Sequence, residues 1–369
     1  MGGTTLALMG PSSINRINPA GQARISTTHL SGTFFYEGFK TTDGNQSSYL
    51  SSGNFGGAVV SFPIAPADGI TLSAGFNPYS SVNYKIQIEP PFGGQTSKQN
   101  YFGEGGLSTA LVSLSLSPAD SLHLGVRLNY LFGQIRSGAT VGFSSSDFSE
   151  ITYRRTTDAN GFGLTLGFIY NGLGKVFGSD RAGDLSVGGI FSTGTSLDAT
   201  QENINTSTIG NDTLTSREGK IRIPVSGGVG VAWLLKEKFL LGADFLYQNW
   251  SDFQSFDVHP PEIRNSTRVS LGLEIQPSRG IGVSYWQRVA YRFGVYYLRS
   301  YYQIASTPIN EAALTAGLGL PISYDTSVDL AVEYGRRGTT DNQLLRDNIL
   351  RFSLTLNAGE RWFVRTEEE

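Results

Sequence analysis

The sequence predicts an all-β fold, namely a transmembrane antiparallel β-barrel of about fourteen strands. Composition supports this prediction, because the chain contains 46 Gly, 22 Phe and 17 Tyr among 369 residues and only 16% of its residues are charged, whereas ordinary soluble domains have roughly 25%. Apolar and polar residues also alternate in runs bounded by turn residues, as in strands with one apolar face. A barrel turns only alternate residues toward lipid, which is compatible with a mean hydropathy of −0.14.

Composition also excludes several classes of protein. No run of about 18 apolar residues occurs, which argues against a transmembrane helix. The chain has no Cys, so disulfides, thiol catalysis and Cys metal sites are excluded. The net charge is −3 and no basic run occurs, so the sequence does not show the positive surface that nucleic-acid binding needs. We expect no cofactor and no metal ion, because no metal or phosphate motif is present, and we expect Met1 to begin a mature or trimmed chain.

Fourteen segments show the alternation. In the segment 122–130, for example, the even-numbered residues are Leu, Val or Tyr and the odd-numbered ones are His, Gly, Arg and Asn. A soluble sandwich would alternate in the same way, but aromatic residues collect near several strand ends, as at Tyr285 and Trp286, which is typical of membrane interfaces. The predicted strands are 25–40, 47–63, 69–89, 98–116, 120–136, 150–170, 184–197, 219–234, 238–251, 265–276, 285–301, 311–320, 325–336 and 348–365.

The connections between these strands alternate in predicted length. Most of those after even-numbered strands are short, as at 118–119 and 235–237, although 171–183 breaks the rule. Most of those after odd-numbered strands are longer and polar, as at 137–149 and 198–218. Bacterial outer-membrane barrels have short periplasmic turns and longer extracellular loops. The pattern therefore predicts a bacterial outer-membrane protein with both termini in the periplasm.

The first 24 residues fit no strand. They are small and mildly apolar, and they include Pro11 and Pro19. A barrel of fourteen strands encloses a lumen wide enough to need filling. We therefore interpret residues 1–24 as a plug, or hatch, inside the lumen and residues 25–369 as the barrel. The alternative is that the first residues form a disordered periplasmic tail.

Three stretches resemble the FadL-type outer-membrane transporter family, in particular its members of the Bacteroidetes and Chlorobi type. The resemblance implies a fourteen-stranded barrel whose hatch contains Asn18, Pro19 and Ala20. The chain departs from the family pattern in its shorter length and in lacking a terminal aromatic residue, which displaces the usual assembly signal inward to Trp362 and Phe363. The three stretches are Gly2-Gly3-Thr4 with Ser12-Ser13-Ile14-Asn15 and Asn18-Pro19-Ala20, then Asn77–Tyr84, then Arg361–Arg365.

Pro78 is the sharpest local feature of the third predicted strand. Pro cannot donate a hydrogen bond to a strand ladder, so inside a strand it marks a bulge or a break. The resemblance implies that Asn77 and Pro78 form a lateral opening, through which an apolar molecule passes from the lumen into the outer leaflet. The alternatives are a simple bulge that shapes the barrel, or an early end of the strand.

Charged residues occupy inward positions on several predicted strands. Because both signs occur on adjacent strands and buried charges need partners, we interpret them as a salt-bridged lining. The alternative is that one of the arginines binds a carboxylate headgroup, which a guanidinium can hold bidentately. The candidates for the lumen lining are Arg127, Glu274, Arg288, Arg292, Glu333 and Arg351.

An enzyme is not expected from this sequence. Only three histidines occur, His29, His123 and His259, and no catalytic motif accompanies them. A Ser nucleophile would need a His beside it. A chance pairing of His123 with a Ser on a neighbouring strand is the one arrangement that could supply this.

The resemblance implies passive uptake of hydrophobic, fatty-acid-like small molecules through a plugged lumen and a lateral opening. The expected partners are such a ligand and the lipid or lipopolysaccharide of the outer membrane, with no nucleic acid. The alternative is a non-transporting FadL-like accessory subunit of an outer-membrane secretion or assembly complex. In that case long loops such as 198–218 would contact the protein partner.

Overall fold

The computed structural model describes residues 1–92, 95–143, 149–176, 184–207, 210–278, 282–323 and 325–360. Its strands form one antiparallel sheet. The first strand pairs with the last over their whole lengths, from Thr28 opposite Glu360 to Thr42 opposite Arg346, and this pairing closes the sheet. The prediction of an all-β, closed antiparallel barrel is confirmed.

The strands are long because the alternating segments extend well beyond the apolar runs. The first ten are β1 (Thr28–Thr42), β2 (Ser47–Ala65), β3 (Ile70–Pro78), β4 (Val82–Ile88), β5 (Pro91–Phe92), β6 (Gln95–Ala119), β7 (Leu122–Phe143), β8 (Ile151–Tyr170), β9 (Asp184–Ser192) and β10 (Thr195–Ser207). The others are β11 (Gly210–Ile223), β12 (Ser226–Leu235), β13 (Phe239–Gln248), β14 (Gln254–Ser255), β15 (Ser266–Ile275), β16 (Ala290–Ile304), β17 (Thr307–Pro321), β18 (Ser327–Gly338) and β19 (Arg346–Glu360).

Helical elements are short. They are the α-helix α1 (Leu173–Val176) and the 3-10 turns Pro19–Gln22, Pro66–Asp68, Trp250–Asp252, Tyr285–Arg288 and Asp341–Gln343. None of the helices in the described ranges is long and apolar enough to cross a membrane.

The ladder pattern groups these strands into a wall of fourteen. Both β3 and β4 pair with β6, and both β9 and β10 pair with β8. On its other edge β9 pairs with β12, and β10 pairs with β11. Each of the three pairs, β3 with β4, β9 with β10, and β11 with β12, therefore acts as one interrupted strand. The two-residue β5 and β14 are local additions. The predicted number of fourteen is confirmed.

Side chains alternate between the two faces of the wall. On β19, for example, Phe352 points outward and is 50% exposed, whereas its neighbours Arg351 and Ser353 point into the barrel. Outward positions on the other strands are likewise apolar and exposed, while the buried inward positions include many Ser and Thr together with His29, His123 and Asp244. An outward apolar surface over a polar interior is the arrangement of a transmembrane barrel.

Two ends of the barrel are distinguished below. The proximal rim is the end at which β1 begins and β19 ends, and the distal rim is the opposite end. At the proximal rim β6 and β7 are joined through Asp120 and Ser121. The hairpin of β10 and β11 ends at the distal rim, with Ser207 opposite Gly210.

Several predicted loops at the distal rim are strands instead. The range 198–218 lies within the hairpin of β10 and β11, and 302–310 contains only the two-residue turn Ala305-Ser306 between β16 and β17. These segments were predicted to be loops because their residues are polar. Pairing satisfies their backbone hydrogen-bonding groups just as well outside an apolar layer, so the prediction of long loops there was wrong.

The ends of two predicted strands also differ from the structure. The strand predicted from 285 begins only at Ala290, because Tyr285–Arg288 forms a 3-10 turn with a capping box between Ser284 and Gln287. The last predicted strand continues to 365, but the described part of the chain ends at Glu360. The motif Arg361–Arg365, with Trp362 and Phe363, lies outside the described residues.

Candidate functional site

The N-terminal segment, residues 1–24, contacts the inner face of the wall. The Asp244 carboxylate on β13 accepts the backbone N–H groups of Thr5 and Leu6 at 2.6 and 3.0 Å. The Asn18 amide donates to the carbonyl of Leu6 at 2.7 Å and to that of Phe168 on β8 at 3.0 Å. The segment is therefore folded on itself and tied to at least two strands.

The three residues taken from the family motif form one compact turn. Asn18 caps the 3-10 turn that Pro19 begins, since its side-chain oxygen accepts the N–H of Ala20 at 3.0 Å. All three residues are buried. Gln22, at the end of the turn, accepts a hydrogen bond from Ser113 of β6 at 3.1 Å and another from Ser73 of β3. The turn thus reaches the strand that contains Pro78.

A belt of glycines lets the backbone of this segment approach the wall. A Cβ at Gly125 would collide with Ala20, one at Gly188 with Leu6, and one at Gly294 with Gly2. Glycine in a strand often marks such a close approach of another backbone. The belt was missed in the sequence, although a Gly at the centre of several alternating runs was the available signal. In the described strands its members are Gly125, Gly167, Gly188, Gly230, Gly242, Gly272 and Gly294.

The ladder of the wall is interrupted beside Pro78. β2 pairs with β3 from Ala58 opposite Phe76 toward the proximal rim, and β4 pairs with β6. No ladder pair joins β2 to β4 in these fully described segments. The N–H groups of Tyr79 and Ser80 both donate to the carbonyl of Leu107 on β6, at 2.8 and 3.0 Å. The chain after Pro78 is thereby held on β6, and a gap between β2 and β4 begins at Asn77.

Arg16 joins the N-terminal segment to β2 at the edge of this gap. The β1–β2 register shifts here, which leaves Gly56 unpaired as a bulge. The Arg16 guanidinium donates to the carbonyls of Gly56, Gly57 and Ser31 at 3.2, 3.3 and 3.1 Å. Burial lowers the pKa of Arg16, because removal from water disfavours the charged guanidinium. The bulge beside the gap therefore depends on a residue from outside the wall.

A cavity of about 210 Å³ lies between this contact and the gap. Its lining includes Arg16, Arg127, Asn77 and Pro78. Arg127 donates to the backbone carbonyl of Arg16 at 2.6 Å, whereas its buried Nε has no hydrogen-bond partner in the described part of the chain. No carboxylate of the described residues forms an ion pair with Arg127. The cavity therefore has a cationic wall, formed by Arg16 and Arg127, that no described carboxylate neutralises as an ion pair.

An apolar cluster, the roof cluster, lies on the distal side of this cavity. Leu131 and Ile223 belong to both the cluster and the cavity lining. Phe256 comes from the connection between β13 and β15, and its N–H donates to the carbonyl of Lys220 at 2.8 Å, so that connection is held on β11 with the Phe256 ring in the cluster. The members of the roof cluster are Leu107, Leu131, Ala159, Leu197, Ala199, Ile221, Ile223 and Phe256.

Four of the six predicted lumen-lining charges form ion pairs. Arg292 pairs with Glu274 at 2.5 Å and with Asp329 at 2.7 Å. Arg351 likewise pairs with Glu333 at 2.9 Å and with Glu37 at 2.8 Å. These four candidates are brought together as ion pairs on one side of the lumen.

The other two candidates form no ion pair among the described residues. Arg127 lies beside the cavity without an ionic partner among the described residues. Arg288 lies in the 3-10 turn before β16, and its side chain is exposed at the proximal rim. Its expected position within a strand is therefore wrong, although it lines a cavity at that rim together with Arg292 and Asp329.

His123 does meet a Ser on a neighbouring strand. The Ser117 Oγ lies 2.6 Å from the His123 Nδ1 at the proximal rim. The Nε2 of His123 is buried and has no hydrogen-bond partner in the described ranges. A catalytic pair needs a third group that orients the base. Since the described residues place none there, the geometry favours a structural contact.

Comparison with known proteins places the chain by family and by fold. A family model described as BamG matches residues 1–367. A search of curated proteins found no significant match. Similar solved structures are the P. putida toluene transporter TodX (16% identity, 99% of this chain and 97% of that chain, TM-score 0.63), a Pseudomonas aeruginosa FadL homologue (14%, 96% and 95%, 0.62) and the CymD monoaromatic hydrocarbon channel (16%, 97% and 99%, 0.60).

The two kinds of match establish different things. Identities this low show a shared fold, here the FadL-type barrel, and they do not transfer a ligand. The family model, in contrast, covers nearly the whole sequence. The chain therefore belongs to the BamG family and has the fold of FadL-type outer-membrane channels.

Proposed function

We propose that the protein is an outer-membrane channel for the passive uptake of hydrophobic small molecules, which leave the lumen sideways into the membrane. The gap between β2 and β4 beside Pro78 carries this proposal, because it adjoins a cavity in the lumen. In this proposal the proximal rim faces the periplasm. Both chain ends then lie there as well.

The arrangement of the lumen supports an apolar route from the distal rim. A solute would meet the roof cluster first and then the cavity. Beyond the gap it would meet aromatic side chains on the outer surface, since the rings of Phe55 and Phe76 stack with centroids 6.4 Å apart. Neither Arg292 nor Arg351, which form ion pairs elsewhere in the lumen, lines this cavity.

In the same proposal the N-terminal segment acts as the plug. Its support comes from the hydrogen bonds to Asp244 and from the fit to the glycine belt, which hold the segment against the wall. A plug of this kind would stop polar solutes from crossing while the sideways route stays open to apolar ones.

The cationic lining of the cavity and its apolar neighbours support a fatty-acid-like ligand. The Arg127 guanidinium lines the cavity and forms no ion pair with a described carboxylate, and charge-assisted donors bind carboxylates more strongly than neutral ones. The roof cluster would then hold the alkyl part. Among the four predicted arginines, Arg127 is the one whose surroundings support this role.

Removing the interruption of the third strand tests the sideways route. The variant deletes Tyr79–Ser81 and changes Pro78→Ser, so that β3 can continue toward β4 along β2. Uptake of radiolabelled oleate and of toluene is measured in cells that lack another such channel. We expect uptake to fall to the background of cells without the protein. Pro63→Ser, which changes a Pro of β2 away from the gap, is the control and should transport normally.

The variant protein must still reach the membrane for this result to count. Its amount in the outer membrane and its resistance to unfolding in mild detergent are measured alongside uptake. Normal uptake by a correctly inserted deletion variant would refute the sideways route.

A second candidate function is that of a non-transporting subunit of a secretion or assembly complex. Two observations favour it: hydrogen bonds hold the N-terminal segment against the inner face of the wall, and the hairpin of β10 and β11 ends at the distal rim. Purification in mild detergent tests it. A stoichiometric protein partner that is lost when the hairpin is shortened would support this candidate, whereas an isolated barrel that transports would support the first.

A further inference from the structure

The connection between β13 and β15 places an aromatic side chain in an unusual position. β14 pairs with β11, Ser255 opposite Ile221, and a bridge between Ser255 and Val258 closes a two-residue turn. The residues of that turn are Phe256 and Asp257, whose φ angles are +52° and +62°. Such turns favour Asn and Gly, and a bulky residue with positive φ is unfavourable.

The turn itself does not require a buried aromatic residue. A turn with the same positive φ angles joins β12 to β13 at Lys236 and Glu237, and both of those side chains are exposed. Phe256 is only 9% exposed, whereas Val258, two residues later, is 59% exposed. Burial of the Phe256 ring therefore reflects the surface beneath it.

That surface has the shape and chemistry of a slot for one ring. Gly219 provides the space, since a Cβ there would collide with the ring of Phe256. The apolar floor is formed by the roof cluster, which includes Leu197 and Ile221. The Arg217 guanidinium lies 4.3 Å from the centre of the ring, which is a cation–π distance.

The charge of Arg217 is available to a ligand. Its Nε donates to Gln201 at 3.1 Å, and no carboxylate among the side chains that the structure describes forms an ion pair with it. The residue is exposed at the distal rim. An anionic group on a molecule bound in the slot would therefore find a cation beside it without displacing another anion.

We propose that this slot is a binding site at the distal rim for an aromatic or compact alkyl group that carries a carboxylate or sulfonate, and that Phe256 fills it as an internal stand-in for the ligand. A ligand binds when the connection lifts and withdraws the ring. The biological role of this site rests on the proposed channel function, because the slot would be the place where a transported ligand first binds. Binding itself requires no transport.

Phe256→Ala tests the site directly, because it removes the internal competitor. If the emptied slot is populated in about one molecule in ten of the unaltered protein, the variant should bind about tenfold more tightly. The probe is para-fluorobenzoate, and its binding to the full chain in lipid nanodiscs is followed by fluorine NMR. Phe253→Ala, which removes another ring from the same connection, is the control and should not change affinity.

Two further variants test the floor and the cation. In the Phe256→Ala background, Gly219→Leu should abolish binding because the new side chain fills the slot. In the same background, Arg217→Gln should weaken para-fluorobenzoate about tenfold and leave the neutral para-fluorobenzyl alcohol unchanged. Equal affinity of the Phe256→Ala variant and the unaltered protein, or binding that survives Gly219→Leu, would overturn the proposal.

The outcome separates this site from the channel proposal. Tighter binding by the Phe256→Ala variant, together with unchanged uptake in the variant that lacks Tyr79–Ser81, would establish the site and reject the sideways route. Loss of uptake in the deletion without any gain of binding on Phe256→Ala would do the reverse.

Discussion

The carboxylate of Asp244 accepts the backbone N–H of Thr5 at 2.6 Å, and this contact fastens the N-terminal segment to the wall of the barrel. Asp244→Leu would leave the N–H groups of Thr5 and Leu6 without their acceptor, and each unsatisfied buried group costs about 1–3 kcal/mol. We expect the segment to leave the wall and the ionic conductance of planar bilayers to rise. Asp252→Leu, at an exposed position of the distal rim, is the control. Unchanged conductance would contradict a plug held by Asp244.

The glycine belt makes a second prediction, in which Gly188→Val places a side chain where the backbone of Leu6 lies. Overpacking of this kind costs about 1–3 kcal/mol, which is enough to make exposure of the segment about tenfold more frequent. Because the chain has no Cys, a single Ala7→Cys reporter can be followed by maleimide labelling. Labelling should be about tenfold faster with Gly188→Val. Gly32→Val, whose Cβ points into open space, should leave the labelling rate unchanged. Equal labelling rates in the Gly188→Val and Gly32→Val variants would show that the glycine belt does not hold the segment in place.

Arg16 should stabilise the bulge of β2 at the edge of the gap. Arg16→Met keeps a side chain of similar length and removes the donors to Gly56, Gly57 and Ser31. Loss of a few such hydrogen bonds, each worth about 1.5–3 kcal/mol when charged, should speed amide hydrogen exchange in β2 between residues 53 and 57. Exchange in β13 should not change. Uniformly faster exchange around the barrel would mean that Arg16 supports only global stability.

The ion pairs of Arg292 predict a difference between two arginines that are close in sequence. Arg292→Leu leaves Glu274 and Asp329 without their cation. Breaking a buried pair costs 3–5 kcal/mol, and because Arg292 is partly exposed we expect about 1–3 kcal/mol, measured by urea unfolding in lipid vesicles. Arg288→Leu, in the exposed turn, should change stability by no more than about 0.5 kcal/mol. Equal losses would show that Arg292 is not specially paired.

The alternation of residues was sufficient to predict which side chains face outward. In 122–130 and 350–356 the outward set is apolar, and a period of two leaves only one register that keeps Arg127 and Arg351 off the membrane surface. The order of neighbouring strands likewise brings Glu274 beside Arg292, since antiparallel pairing sets them opposite each other. Pro78 could be predicted to interrupt a strand because it lacks an N–H group.

Other features depend on contacts between residues far apart in the chain. The hairpin of β10 and β11 extends through a polar segment because backbone pairing does not depend on side-chain polarity. The gap beside Pro78 exists because Tyr79 and Ser80 bond to Leu107 on one side only. Neither relation can be read from local composition.

The sequence by itself therefore determined the barrel, the number of its strands and the inward direction of charges such as Arg127 and Arg351. The glycine belt, the contact of Arg16 with β2 and the slot filled by Phe256 were decided by the tertiary structure. The physical reason is that alternation is a local, repeated signal that each strand carries alone. The fit of a backbone against Gly188, or of a ring against Gly219, exists only where two distant segments meet.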